Sequence, residues 1–389
     1  MSKIVNNDTF TLGDVRLVTS GFPSTLSECF TGSVVADFDP RYAQTGQWLH
    51  EFRNYGNSAS LTYKDAEDID SFVYRWDYRD GSDYFYWISA QDETLNAWAI
   101  SSLGVLSENA AVSTSAYHPL SDIHCVGDDE FIVLEYYAWR ITARYWQYSA
   151  GSIGEYDDNE YTGSYLSDPP TMSAIDEDNN QFIFFAESWA TDNTGKIHVL
   201  NYATGSKTLA FKTPTTLGYG LNGMHYQNGY LHVLCDSGSN TLLRSYSVNS
   251  STGVLTYNSS ITITSVSIYG ITGNGDDLIF LNRGSAHYCF SVSSGAYTLE
   301  DTDTISPGSG VSVDYDPVSN AVFFIDTYYS HDNLYAKRVD TSLDFVTEAT
   351  FNWGAYSVGT GTYILVLSDL GFVLVCTSGT EKIISAEIG

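Results

Sequence analysis

Short apolar runs broken by glycine, asparagine, aspartate and serine set the rhythm of this 389-residue chain. Within the runs β-branched and aromatic residues dominate, and apolar positions alternate with polar ones, the period-2 pattern of half-buried strands. No amphipathic stretch of ten or more residues has a helical period, and residues 65–71 have room for one helical turn at most. The chain is predicted to be nearly all β.

The pattern also repeats at long range. A strongly apolar strand recurs as Trp48–His50, Tyr84–Ile88, Phe131–Leu134, Phe182–Phe185, Leu231–Leu234, Leu278–Leu281, Val322–Ile325 and Ile364–Leu367. The spacing averages about 45 residues. Turns rich in acidic or small residues precede these strands, among them Gly127-Asp128-Asp129, Asp176–Asn180, Gly275-Asp276-Asp277 and Asp314–Pro317. Later in each unit an alternating strand meets a glycine turn and then another apolar residue, as in Trp98–Leu106, Tyr246–Leu255 and Phe290–Gly295, with weaker matches around Tyr148, Tyr202 and Val339.

Each unit thus reads as four short strands. Four antiparallel strands per 40–50 residues, repeated around an axis, are the signature of a β-propeller. One blade cannot cover its own two faces; in a ring each blade covers its neighbours, and the second strand becomes apolar on both sides. Eight units can be counted. The first, 33–66, lacks an outer strand, whereas the last, 356–389, reads as having all four, and residues 9–19 read as an extra strand able to close the ring. The expectation is an N-terminal segment, 1–32, followed by a single closed all-β propeller of four-stranded antiparallel blades over 33–389, with seven or eight blades.

Tyr246, Val248, Thr252, Gly253 and Leu255, with partial matches at Trp98–Leu106 and Phe290–Leu299, resemble the repeat of lactonase-like (Tyr-Val-Thr-Asn-type) propellers. The likeness is to a repeat unit spread over about 300 residues, and it supports the fold rather than an activity. A lactonase of that kind implies a metal or an acid–base pair near the axis. The chain offers little for either. Its eight histidines, at 50, 118, 124, 198, 225, 232, 287 and 331, show no His-x-x-x-His spacing. His50, His198 and His232 sit inside apolar strands and are expected to be core residues, while His118 precedes Pro119 in a loop and His124 abuts Cys125, neither with an expected ligand role.

Asp176-x-Asp178-x-Asn180 has the opening spacing of a calcium loop, but Gln181 stands where glycine is needed and no bidentate acid follows. The pairs Asp37/Asp39 and Asp314/Asp316 recur in turns read as equivalent, which suggests a structural role. No nucleophile elbow or phosphate-binding glycine loop occurs. Cysteines 29, 125, 235, 289 and 376 form no Cys-x-x-Cys pair and are expected to be buried free thiols, as in a reducing cytoplasm. No metal, cofactor or catalytic residue is therefore expected.

Charge narrows the partners. With 17 Lys+Arg against 47 Asp+Glu the net charge is −30, and nucleic acid and anionic membranes would be repelled. The acidity fits either plain solubility or adaptation to saline water. The first residues lack the apolar run of a secretory signal, and no stretch approaches the ~20 apolar residues of a membrane span. Aromatic residues are the one surplus, with 30 Tyr, 19 Phe and 8 Trp. Tyr136, Tyr137, Trp139, Trp189, Tyr328 and Tyr329 follow apolar strands in turns where burial is not forced, and they form the candidate binding rim.

These features favour a non-catalytic propeller for binding or assembly over a lactonase-like hydrolase with its site at the axis. A Tyr-, Ser-, Thr-, Asn- and Gly-rich surface vocabulary without an export signal resembles tailed-phage virion components such as tail fibres, tail tips or capsid decorations. That resemblance implies a virion location, with other virion proteins or a host-surface receptor as partners and a homo-oligomer within the particle. A cytoplasmic protein-interaction propeller is the other alternative.

Overall fold

The computed structural model describes residues 60–389 apart from 70–72, 90–92, 115–119, 138–139, 163–172, 177–181, 188–194, 238–239, 265–267, 269, 284–285, 305–311, 329–330, 354–359 and 379–380. These residues form 29 strands, all paired antiparallel, in seven sheets, and no α-helix occurs among them.

The first strand, β1 (Leu61–Asp68), belongs to the last blade. Blade one is β2 (Val73–Tyr78), β3 (Tyr84–Ser89), β4 (Thr94–Ile100) and β5 (Leu106–Ser113). Blade two is β6 (Leu120–Gly127), β7 (Glu130–Tyr137), β8 (Arg140–Ser149) and β9 (Ser152–Thr162). Blade three is β10 (Ser173–Ile175), β11 (Phe182–Glu187) and β12 (Lys196–Ala203), with an outer edge split into β13 (Thr208–Phe211) and β14 (Thr215–Thr216). Blade four is β15 (Gly220–Gln227), β16 (Tyr230–Ser237), β17 (Asn240–Val248) and β18 (Leu255–Ile263). Blade five is β19 (Gly270–Gly273), β20 (Leu278–Asn282), β21 (Ala286–Ser293) and β22 (Ala296–Thr304). Blade six is β23 (Val313–Asp316), β24 (Ala321–Tyr328), β25 (His331–Val339) and β26 (Phe345–Asn352). Blade seven is β27 (Thr360–Leu367), β28 (Phe372–Ser378) and β29 (Lys382–Ile388), completed by β1.

The ring is therefore a closed propeller of seven blades, and two readings from the sequence change. The last unit supplies three strands rather than four; its outer strand is β1, which pairs with β29 from Leu61↔Ile388 to Asp68↔Lys382. Residues 61–66 thus belong to blade seven, not to a first blade of their own, and 65–68 are strand rather than a helical turn. The run Ile364–Leu367 is an inner strand, with Phe372–Ser378 as the second strand of that blade. Both are apolar, so hydrophobicity alone could not rank them. Trp48–His50 and 9–19 lie outside the described residues.

The core lies between blades. Phe182, Phe184 and Val199 of blade three pack with Met224, Leu231 and Val233 of blade four, while Phe85, Trp87 and Trp98 of blade one meet Leu365, Leu374 and Ile383 of blade seven. Phe131–Leu134 and Phe182–Phe185 are fully buried, as a second strand covered on both faces requires. Each such side chain contributes about 1.5–3 kcal/mol by leaving water.

The recurring glycine turn has a packing reason. Gly253 has φ +72°, and a Cβ there would meet Val199 at 2.8 Å and Phe182 at 3.1 Å across the seam to blade three. Gly104 and Gly295 repeat the device. Their carbonyls accept Ser385 Oγ (2.6 Å) and the Ser245 hydroxyl, each from the third strand of the preceding blade. The four described-region cysteines, 125, 235, 289 and 376, are free and buried.

Candidate functional site: the axial channel

The first strands of all seven blades line one cavity of about 630 Å³ on the ring axis. In a strand, residues i and i+2 share a face, so Arg75 and Asp77 of β2, and Asp122 and His124 of β6, come to the channel in pairs. Each inner strand of blades one, two, four and seven carries a β-bulge, between Val73 and Arg75, Leu120 and Asp122, Leu221 and Gly223, and Gly361 and Tyr363. Bulges re-aim the side chains that follow them. Arg75, Asp122, Gly223 and Tyr363, the residues just past the bulges, all line the cavity.

The polar residues concentrate on the wall formed by blades seven, one, two and three. Arg75 donates to Tyr363 Oη (3.0 Å) and to the Tyr74 carbonyl (2.7 Å), and its guanidinium lies over both tyrosine rings. Its Nε stands 3.9 Å from Asp122 Oδ1. Asp122 also accepts from Ile123 N–H (3.0 Å) and from Ser173 Oγ (2.5 Å). Ser173 Oγ is in turn 2.5 Å from His124 Nε2, and His124 Nδ1 is 3.8 Å from Asp77 Oδ2. Burial pushes the His124 pKa down against the pull of the Asp122 charge.

Serine, histidine and aspartate are the residue types of a hydrolytic triad, but their order here is different. Ser173 has one proton and gives it to Asp122, so its oxygen accepts from His124 Nε2–H. The imidazole is then a donor to the serine rather than its base, and Asp77 lies beyond hydrogen-bond distance of Nδ1. The arrangement is a relay that holds three blades together and presents carboxylates to the channel.

Inner-strand carboxylates also join the blades. Asp77 takes Tyr78 N–H on Oδ1 (2.9 Å) and Cys125 N–H of blade two on Oδ2 (2.7 Å). Asp314 does the same with Tyr315 N–H (2.9 Å) and Val366 N–H of blade seven (2.9 Å). Asp314 and Asp316 are therefore strand residues, not turn residues, although the structural role expected for them holds for Asp314. Among the described residues no cluster of His, Cys, Asp and Glu has the geometry to hold a metal ion. Of the calcium-like stretch, Asp176 is buried and 178–181 lie outside the described residues.

The predicted aromatic rim is only partly in view. Tyr136 and Tyr137 end β7, and Tyr328 ends β24, so all three stand at hairpins between second and third strands of blades two and six. Trp139, Trp189 and Tyr329 lie outside the described residues. Of the histidines, His198 is buried against Phe185, with stacked rings 5.2 Å apart, and His232 is buried with Nδ1 on Tyr297 Oη (2.8 Å), both core residues as expected. His124 is in strand β6. Arg75, Asp77, Asp122 and Ser173 were not singled out from the sequence.

No protein-family model matches the chain, and no curated protein is similar to it. Solved structures are. The β-propeller domain of Cps50 (Swd1) from Myceliophteria thermophila matches at TM-score 0.60 and 12% identity over 85% of this chain and 100% of that one. A chain of the Mitotic Checkpoint Complex matches at 0.59 and 10%, over 84% and 91%. The C-terminal WD40 domain of Sif2 matches at 0.57 and 10%, over 86% and 100%. At such identities the likeness shows the seven-bladed fold. It runs against the expectation of a phage virion, tail or host-recognition protein, since the three similar structures are a propeller domain of Cps50 (Swd1), a chain of the Mitotic Checkpoint Complex and the WD40 domain of Sif2. Among the described residues no helix is long and apolar enough to cross a membrane.

Proposed function

We propose that this chain is a protein-interaction propeller that engages its partner at the mouth of the axial channel. One observation carries the reading: the inner strands of blades one, two and three bring Arg75, Asp77, Asp122, His124 and Ser173 to a single polar wall of a cavity of about 630 Å³ that all seven inner strands line. That volume falls in the range of pockets that take a side chain or short peptide segment, and its polar groups are fixed by strands rather than loops. Likeness to a chain of the Mitotic Checkpoint Complex supports the same direction. The hairpins that carry Tyr136, Tyr137 and Tyr328, with Trp139, Trp189 and Tyr329, form a second contact zone in this proposal. A hydrolase finds less support, because the only Ser–His–Asp arrangement on the channel wall is ordered for a relay.

The test is affinity purification from the native source with covalent cross-linking, comparing the wild type with Arg75→Ala and with Trp139→Ala/Trp189→Ala. Partners that depend on Arg75 and cross-link to channel residues support the axial reading. An unchanged partner set in Arg75→Ala, with loss only in the Trp139/Trp189 variant, moves the interface to the rim. Turnover of ester or lactone substrates that is lost in Ser173→Ala would replace the reading with an enzymatic one.

A further inference from the structure

The channel wall has an unbalanced charge. Asp77, Asp122 and Asp314 all line the cavity, and among the described residues Arg75 is the one Lys or Arg that does. That guanidinium is spent: it is held by Tyr363 and the Tyr74 carbonyl, lies over two rings, and stands beside Asp122. The lining therefore has formal charges of three minus and one plus within a chain of net charge −30. In so confined a space an anionic ligand would meet like charge at low dielectric, which is strongly unfavourable.

The two imidazoles on the lining do not redress the balance. Burial lowers the pKa of His124, and that of His225 to about 4, so both are neutral at pH 7. The His225 Nε2 on this lining is buried and has no hydrogen-bond partner. The neighbouring Gln227 is tied to blade five, its amide oxygen accepting Gly275 N–H (3.0 Å) and its amide nitrogen donating to the Leu278 carbonyl (3.2 Å). Blades five and six contribute small neutral residues to the same cavity, Gly270, Thr272 and Ser312. The wall is thus rich in acceptors, short of donors and negative, with open space beside it.

We infer that the axial cavity takes a cationic, donor-rich head group, the ammonium or guanidinium end of a basic side chain, with Asp77 and Asp122 as its counter-charges. This inference rests on the axial reading above and names its ligand chemistry. A lysine or arginine end supplies three to five N–H donors, and the carboxylates of blades one and two are already fixed by backbone N–H groups. Little reorganisation is then needed on binding.

Titration calorimetry and chemical-shift mapping of the intact chain at low ionic strength would test it. The probes are N-acetyl-lysine amide, N-acetyl-arginine amide and the neutral N-acetyl-glutamine amide, with cadaverine as a free amine. Saturable binding of a cationic probe at least tenfold tighter than of the glutamine probe, weakened at least tenfold in Asp122→Asn, is the expected result. Tighter binding of cadaverine than of the blocked lysine keeps the cation but assigns it to a small free amine. Because Asp122→Asn also loosens the Ser173 relay, Asn222→Lys is the second variant. It leaves every carboxylate in place, brings a tethered ammonium to the lining, and should abolish binding. No saturable binding of any cationic probe up to about 10 mM, equal binding of the glutamine probe, or unchanged affinity in both variants would overturn the inference. Partner loss in Arg75→Ala alongside any of these would leave the axial interface standing and refute only its ligand chemistry.

Discussion

Two histidines locked in the interior should make this propeller lose stability as the pH falls through the range in which free histidine titrates. His287 is fully buried and stacks flat on Phe324 with ring centroids 3.8 Å apart, and neither ring nitrogen has a hydrogen-bond partner. Burial, aided by the nearby Lys337 charge, puts its pKa well below the usual value. His232 is fully buried with Nδ1 on Tyr297 Oη, and burial lowers its pKa to about 3. Above about pH 6.5 both states of the protein hold these rings neutral and no penalty exists. Below it the unfolded chain binds protons that the folded chain refuses, and each histidine costs about 1.4 kcal/mol per pH unit until the folded pKa is reached. From pH 6.5 to 5 that is about 2 kcal/mol each. Glu135 works the other way: burial raises its pKa to about 7, against the pull of Arg144, so it adds stability as pH falls from about 7 toward its unfolded value near 4.5. The total slope is therefore a difference, and a variant isolates one part of it. His287→Phe keeps the stack on Phe324 and removes the titration. Guanidinium unfolding midpoints at pH 7, 6, 5 and 4.5 should show the wild type losing about 1.4 kcal/mol per unit relative to the variant below pH 6.5. Parallel curves for the two proteins would refute the reasoning.

Three further outcomes follow from the seams. Gly253→Ala must hold φ +72° with a methyl 2.8 Å from Val199, and should cost about 2–3 kcal/mol, read as a lowered melting temperature. Asp314→Ala strips the acceptor from Tyr315 N–H and Val366 N–H and should cost about 3 kcal/mol, with Asp314→Asn recovering part of it, measured by denaturant unfolding. A chain beginning at residue 70 lacks β1 and leaves the edge of β29 unpaired; it should aggregate, and a peptide of residues 58–69 added in trans should restore a monodisperse species by size-exclusion chromatography.

The second strands and the hairpins after them were legible because burial on both faces leaves them without polar residues. Phe131–Leu134 and Leu231–Leu234 needed only hydrophobicity, and the Tyr246–Leu255 turn only its glycine. The closing seam was not legible for the opposite reason. Lys64-Asp65-Ala66-Glu67-Asp68 is an outer edge with one half-solvated face, so its composition resembles a turn or a short helix. Nothing local says that its partner is Lys382–Ile388, over 300 residues away. Inner strands hid as well, since a strand that faces the axial cavity carries polar residues there, as Asp314 does, and with Asp316 buried two positions on it reads as an acidic turn. The site itself was recoverable from spacing. Asp122 follows Arg75 by the same interval that separates His124 from Asp77, and that interval is one blade. Stacking the units on each other would have placed these residues side by side, whereas a search for contiguous motifs could not. Composition misled where it was used for biology, because a Tyr- and Ser-rich surface describes an interacting propeller of any origin.

The acidity, read from the sequence as solubility or salt adaptation, has a structural share that neither reading includes. Asp65, Asp77, Asp301, Asp314 and Asp369 each direct Oδ2 at a backbone N–H of the neighbouring blade: Leu106, Cys125, Phe345, Val366 and Gly81 respectively, at 2.7–3.0 Å. Asp77, Asp301 and Asp314 give Oδ1 to the N–H of the next residue in their own strand. Aspartate suits this task better than glutamate, because its short stem fixes one oxygen on its own backbone and leaves the other to reach across the seam. Two of the five, Asp65 and Asp369, stand at the junction of blade one with blade seven, the blade in which the ring closes by the pairing of β1 with β29. A propeller that stitches its blades with carboxylates accumulates negative charge along its seams whatever its surroundings. Hence the charge of the channel wall and the stitching of the blades have a common origin: Asp77 and Asp314 serve both, as seam acceptors for Cys125 and Val366 and as part of the negative lining of the axis.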